Sequence, residues 1–134
     1  MTGFERPRYF AGKMITADDF ELEQGYHIEK RWLLNRMFHG AGVVSGLGVV
    51  AGGQSTVTVA PGFALDTHGR EIVVCEPQQL AIPDCAEPVS ICLLYAEVET
   101  DRATIRETYE LVASKAPAPE QAVVLAVIEE GVVD

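Results

Sequence analysis

Between Thr16 and Gly40 the apolar residues recur every three to four positions, so that Phe20, Leu22, Tyr26, Leu33, Leu34, Met37 and Phe38 share one broad arc. The pattern predicts an amphipathic helix over 17–39. Thr16 is a suitable N-cap, Asp19 stands at the third helical position in a variant of the capping box, and Asp18 and Asp19 oppose the positive end of the helix dipole. Gly40 marks the stop, with Arg36 and His39 in the turn before it. The arc is wide enough to lie on a sheet and is expected to be the core-facing side. Ile28 and Trp32, four residues apart, project from a different side, between Glu21 and Asn35. Either the preceding segment RPRYFAGKM folds over this second ridge, or the ridge meets another subunit, where tryptophan is a frequent anchor.

After Gly40 the period becomes two. Val43, Leu47 and Val49 alternate with Val44, Gly46, Gly48 and Val50; AGGQ then reads as a tight turn into STVTV, where Val57 and Val59 alternate with threonines. PG at 61–62 marks a further turn, FALD a short strand, THG a hairpin turn and REIVVCE its return strand. Gly46 and Gly48 are expected to share a bare strand face against which something packs closely, the helix being one candidate. PVSICLLYAEV and EQAVVLAVIEEG are apolar on both faces, as covered strands are. Between them ATIRETYELVAS sets Ile105, Tyr109 and Leu111 opposite Thr104, Arg106, Thr108 and Glu110, the pattern of a half-exposed strand. SKAPAPEQ is a Pro/Ala loop, and no repeat or interdomain linker is visible. The expectation is a single α+β domain over 1–134: an N-terminal arm and long helix (1–40) packed on an antiparallel β-sandwich or open β-barrel (41–134).

Composition narrows what such a domain does. With 134 residues and 48% hydrophobic content, the chain can bury a core without staples. Residues 1–40 hold six Lys/Arg and six Asp/Glu, whereas 41–134 hold four and fourteen, so the β-region carries the whole net charge of -10. That surface repels phosphates, which argues against nucleic acid as a partner. The N-terminus lacks the apolar run of a signal peptide, and the uncharged stretch from Met37 to Leu65 is too broken by glycine, serine and threonine to span a membrane. A cytoplasmic protein is expected. Cys75, Cys85 and Cys92 are odd in number and lack CxxC spacing, which suits buried free thiols in a reducing compartment.

The glycines of HGAGVVSGLGVV invite a nucleotide-binding reading, which direction defeats. A dinucleotide loop runs from strand into helix, so that amides and the positive dipole end face the pyrophosphate. Here the order is helix, glycines, strand, and the third glycine is Ser45. No GxSxG elbow surrounds a serine, His27 and His39 are too far apart for a zinc pair on one helical face, and the adjacent carboxylates point apart. No enzyme, cofactor or metal is expected.

Longer patterns point elsewhere. RPRYFAGKMITADDFELEQGYHIEKRWLLNRMFHGAGVVSGLGV resembles the block R-P-x-Y-F-x-G-x-x-(L/M)-x-x-x-D-F-x-x-E-x-x-Y-x-x-x-(K/R) followed by N-R-x-x-x-G-x-G-V-V-x-G-L, found in proteins encoded near phage tail-like contractile injection systems. VTVAPGFALDTHGREIVV is similar to the element V-x-V-x-P-G-x-A-x-D-x-x-G-x-x-I-x-V of tail-fibre and baseplate-associated proteins, and VVLAVIEEG to their later V-x-L-A-x-V strand. The resemblance implies a structural or attachment module at a baseplate, fibre base or collar. Its partners would be other subunits of the particle and further copies of itself, a trimer being one arrangement, and the particle could be released from the cell. The docking residues expected are the arm residues Arg6, Arg8, Tyr9 and Phe10, whose arginines suit acidic partner groups, together with Ile28 and Trp32. Simple packing of the arm on its own helix is the plainer alternative. The competing function is a small-ligand or glycan-binding β-domain, with Tyr95 or Tyr109 as the stacking aromatic.

Overall fold

The computed structural model describes residues 3–53, 55–83, 88–115, 117–129 and 132–133. Helix α1 spans Ala17–Leu34. Its start is fixed by charge and hydrogen bonding together: the Thr16 amide donates to Asp19 Oδ2 at 3.0 Å, and Lys13 Nζ reaches Asp19 Oδ1 at 2.7 Å. The Lys13 ammonium, followed by the Thr16 amide, holds the Asp19 carboxyl below its ordinary range. The expected end at His39 holds in position but not in form. Asn35–His39 widen into a π turn, closed where the Gly40 amide donates to the Asn35 carbonyl at 3.0 Å. Gly40 stops the helix with φ 70, a conformation that costs glycine little.

Among the described residues, ten antiparallel strands follow in three sheets. They are β1 (Gly42–Gly46), β2 (Val49–Ala51), β3 (Thr56–Val59), β4 (Gly62–Leu65), β5 (Glu71–Val74), β6 (Gln78–Ala81), β7 (Val89–Asp101), β8 (Thr104–Ser114), β9 (Val123–Glu129) and β10 (Val132–Val133). The sheet orders are β1-β4-β5, β2-β3-β6 and β10-β9-β7-β8, and none closes into a barrel. The fold is α+β. The anticipated hairpins β2–β3 and β4–β5 are present.

The strand anticipated through Val43–Val50 is instead two strands in different sheets. Gly46 and Leu47 take φ 69 and φ 61, and this left-handed pair turns the chain from the first sheet into the second. The Leu47 amide donates to the Pro61 carbonyl at 3.1 Å, and Ala60 donates back to Gly48 at 2.9 Å. The bare face at Gly46 is met by this neighbouring turn and not by the helix: a Cβ there would lie 2.2 Å from the Pro61 oxygen. Gly48 has open space where its Cβ would be.

Alternation sets the core. Val57 and Val59 of β3, Ile72 and Val74 of β5, and Ile91 and Leu93 of β7 point inward and join Leu47, Ala64, Val89, Val123 and Ala126 in one buried cluster. β8 lies over β5 and β6, and β9 over β1, so the sheets cover one another's inner faces.

That mutual cover overturns the expected facing of the helix. No residue of α1 is buried; Phe20, Leu22 and Leu34 are exposed, and beyond them Met37 and Phe38 are 74% and 79% exposed. The inner faces of the sheets are covered by one another and not by the arc. The thiols also differ from expectation. Cys92 is buried, and burial raises its pKa, but Cys75 is exposed; Cys85 lies outside the described residues. Alkylation of the native protein, mapped by peptide mass spectrometry, is expected to modify Cys75 rapidly and Cys92 only on unfolding. Equal rates at the two would contradict this packing.

Candidate interaction site at the junction of helix and hairpin

The β4–β5 turn is built around Asp66, which is 1% exposed. Its Oδ1 accepts the amides of His68 and Arg70, each at 2.9 Å, while Oδ2 accepts Arg70 Nε at 2.7 Å. One carboxylate thus satisfies two turn amides and a guanidinium. The Arg70 guanidinium in turn lies 4.9 Å from the centre of the Tyr95 ring.

On this turn the helix end is seated. Gly69 has φ 86, and a Cβ there would fall 2.1 Å from the Trp32 carbonyl oxygen, so the helix backbone rests where only glycine leaves room. Buried Asn35 donates through Nδ2 to the Gly69 carbonyl at 2.9 Å, and Arg36 donates to the His68 carbonyl at 3.1 Å. Arg31 grips the Glu71 carboxylate with both Nε and Nη2, the latter at 2.8 Å from Oε2, and Asn35 touches the same carboxylate at 3.4 Å. The hydrogen bond to Glu71, followed by the charge of that carboxylate, raises the Arg31 pKa further. Arg31, Asn35, Asp66, Gly69 and Glu71 carry no mark of a site when the sequence is read residue by residue. The signal was nonetheless present: Asn35 and Arg36 are the N-R, and Asp66 and Gly69 the D-x-x-G, of the patterns quoted above.

Beside this latch a cleft of about 280 Å³ opens between α1 and the β7–β8 hairpin, lined by His27, Ile28, Arg31, Trp32, Glu71, Tyr95 and Glu107. Tyr95 donates its hydroxyl to Glu97 at 2.9 Å. Burial, then that bond and the charge of Glu107, push its pKa up. β9 pairs with β7 only along Val89–Leu93, so beyond Tyr95 the hairpin continues as a ribbon exposed from Glu97 to Glu107. In its register Tyr95 faces Tyr109, Glu97 faces Glu107 and Glu99 faces Ile105.

The arm occupies the other side of the helix. Arg6 reaches the Tyr26 hydroxyl at 3.4 Å, and Lys30 lies 4.9 Å from the centre of the Tyr26 ring and 5.5 Å from that of Phe4. These cations, Lys30 first, lower the Tyr26 pKa. Between arm and helix runs a groove of about 510 Å³ walled by Phe4, Glu21, Leu22, Gly25, Tyr26 and Glu29. Arg8, Tyr9 and Phe10 are exposed. The arm therefore packs on its own helix without covering the Ile28 and Trp32 ridge. Ile28 remains exposed and Trp32 is partly buried, both lining the cleft. The structure brings Ile28 and Trp32 together but sets Arg6 apart from them. Tyr95 and Tyr109, the proposed sugar platform, are partly buried and packed against the core, and Arg70 lies over the Tyr95 ring.

Neither family models nor curated proteins yield a match to the chain. Among solved structures it is similar to a chain of the baseplate complex from the type VI secretion system, with a TM-score of 0.52 and 13% identity over 95% of this chain. This chain spans about half of that one, 54% of its length, and the likeness is one of fold.

Proposed function

We propose that the chain is a non-enzymatic structural or attachment component of a phage tail-like contractile injection particle, an adaptor at the baseplate, fibre base or collar. The observation that carries this reading is a helix held by polar bonds at its C-terminal end, with its apolar arc uncovered through Phe20, Leu34, Met37 and Phe38. Exposed apolar area of this kind marks a contact surface, and a protein that works alone has little use for it. The likeness to a type VI baseplate chain supports the same direction. In this reading the chain assembles inside the cell with other particle subunits and with copies of itself, and leaves the cell only as part of a released particle.

The test is substitution of the exposed pair, Met37→Glu with Phe38→Glu. Because both side chains face solvent in the free chain, thermal stability is expected to stay within about 0.5 kcal/mol of the parent. Incorporation into assembled particles, read by sedimentation and immunoblotting, should fall at least about tenfold. Normal incorporation of the doubly substituted chain would overturn the assignment of this face to assembly.

A further inference from the structure

We propose that Arg8, Tyr9 and Phe10 of one copy of the chain seat in the cleft between α1 and the β7–β8 ribbon of a second copy, with the Arg8 guanidinium between Glu107 and Glu97. The contact goes beyond the particle reading and does not depend on it, since the free chain in solution should form it.

The inserting element is already shaped. Arg6 ties the arm to Tyr26 on one side and Lys13 ties it to Asp19 on the other, while the Lys13 amide closes a turn onto the Phe10 carbonyl at 3.1 Å. Between these anchors Tyr9 and Phe10 are 42% and 62% exposed. Arg8 makes no hydrogen bond or ion pair among the described residues. The backbone carrying this cation and its two aromatic neighbours in sequence is thus fixed at both ends, which lowers the backbone part of the ordering cost on insertion.

The cleft matches it in chemistry. Ile28, Trp32 and Tyr95 supply apolar and aromatic walls, and the Trp32 indole suits a stacked guanidinium. Glu71 is engaged by Arg31 and Asn35, whereas Glu107 has no hydrogen bond among the described residues and meets the Arg31 charge only through space. Glu107 also stands directly across from Glu97, and like charges facing one another between strands destabilise a ribbon. A guanidinium inserted there relieves the repulsion and completes both carboxylates. The space of about 280 Å³ suits one or two side chains and lies at the small end for a free ligand.

Geometry makes the contact one between copies. The arm is fixed at Tyr26 and the cleft opens at Ile28, two positions on, which is roughly 200° around the helix. While pinned, the arm cannot reach the cleft of its own chain. The surface offered differs from the surface received, so two copies can exchange arms reciprocally in a two-fold dimer, or several can join head to tail in a ring where the rotation closes.

The experiment is sedimentation of the full chain over a range of concentrations, alongside fluorescence of Trp32, the one tryptophan of the sequence and a wall of the cleft. Concentration-dependent association with a matching change in Trp32 emission is expected, weakening as salt is raised. Arg8→Glu and Glu107→Arg should each weaken it at least about tenfold, and the two together should recover most of the loss. Both side chains are exposed, so unchanged thermal unfolding of each variant excludes misfolding as the cause. A chain that stays monomeric, an assembly indifferent to Arg8→Glu, or a double variant no better than the singles would each overturn the proposal. Those results would leave the Met37 and Phe38 test of particle assembly standing.

Discussion

Asp66→Ala is expected to lower the unfolding free energy by about 3–5 kcal/mol, the cost typical of removing one partner from a buried, hydrogen-bonded charge pair. The buried carboxylate accepts two turn amides and the Arg70 side chain; alanine leaves all three donors without it. Asp66→Asn should be milder. Its amide oxygen can still accept the turn amides, while its nitrogen would face the Arg70 guanidinium in place of an acceptor. Urea denaturation measures both variants. A loss below about 1 kcal/mol for the alanine variant would mean that the turn does not depend on this carboxylate.

Gly69→Ala is the second large effect, and it should be local. The new methyl would meet the Trp32 carbonyl at 2.1 Å in a backbone conformation, φ 86, that already costs alanine about 1–2 kcal/mol. Relief requires the helix to lift, which also breaks the Asn35 bond to Gly69 and separates Arg31 from Glu71. Release of α1 is therefore expected, at about 2–4 kcal/mol, from sheets that keep their core. Near-ultraviolet circular dichroism of Trp32 and tryptic cleavage after Lys30 and Arg31 report on it. An unaltered tryptophan signal with unaltered cleavage would sink the idea that the helix is seated on this glycine.

Much of the fold was legible because it is written in local chemistry. The cap at Thr16, the stop at Gly40 and the hairpins β2–β3 and β4–β5 each rest on residues a few positions apart. The facing of the helix was not legible, since an amphipathic arc records where apolar residues lie and not what covers them. Met37 and Phe38 fall on the arc in an ideal α-helix, yet they sit in the π turn, and the buried core is filled by strand residues and Leu47 without them. The break at Leu47 escaped notice because a leucine at positive φ carries no mark of its own, unlike a glycine. β6 was missed because Gln78–Ala81 shows only a faint alternation, enough for a strand pinned by β3 but not for one read alone.

The candidate site divides in the same way. Ile28 and Trp32 were conspicuous as a ridge out of place on the helix, and both line the cleft. Tyr95, Glu97 and Glu107 join them through a strand pairing far along the chain, which no local pattern encodes. The latch is polar, and Asn35, Asp66 and Glu71 read in sequence as ordinary surface residues. Only the packing reveals that Asn35 and Asp66 are buried.

The single-ended seat of α1 also has a mechanical meaning. From Leu34 back to Ala17 the helix reaches roughly 27 Å at 1.5 Å per residue, and the arm travels with its far end through the Lys13 pair with Asp19. With the pivot at Gly69, beneath Trp32, a tilt of about 10° sweeps that end through roughly 4 Å without any movement of the sheets. A tilt on this seat would carry Arg8, Tyr9 and Phe10 with it, and a load on the arm would bear on the turn held by Asp66 and on the Arg31 pair with Glu71.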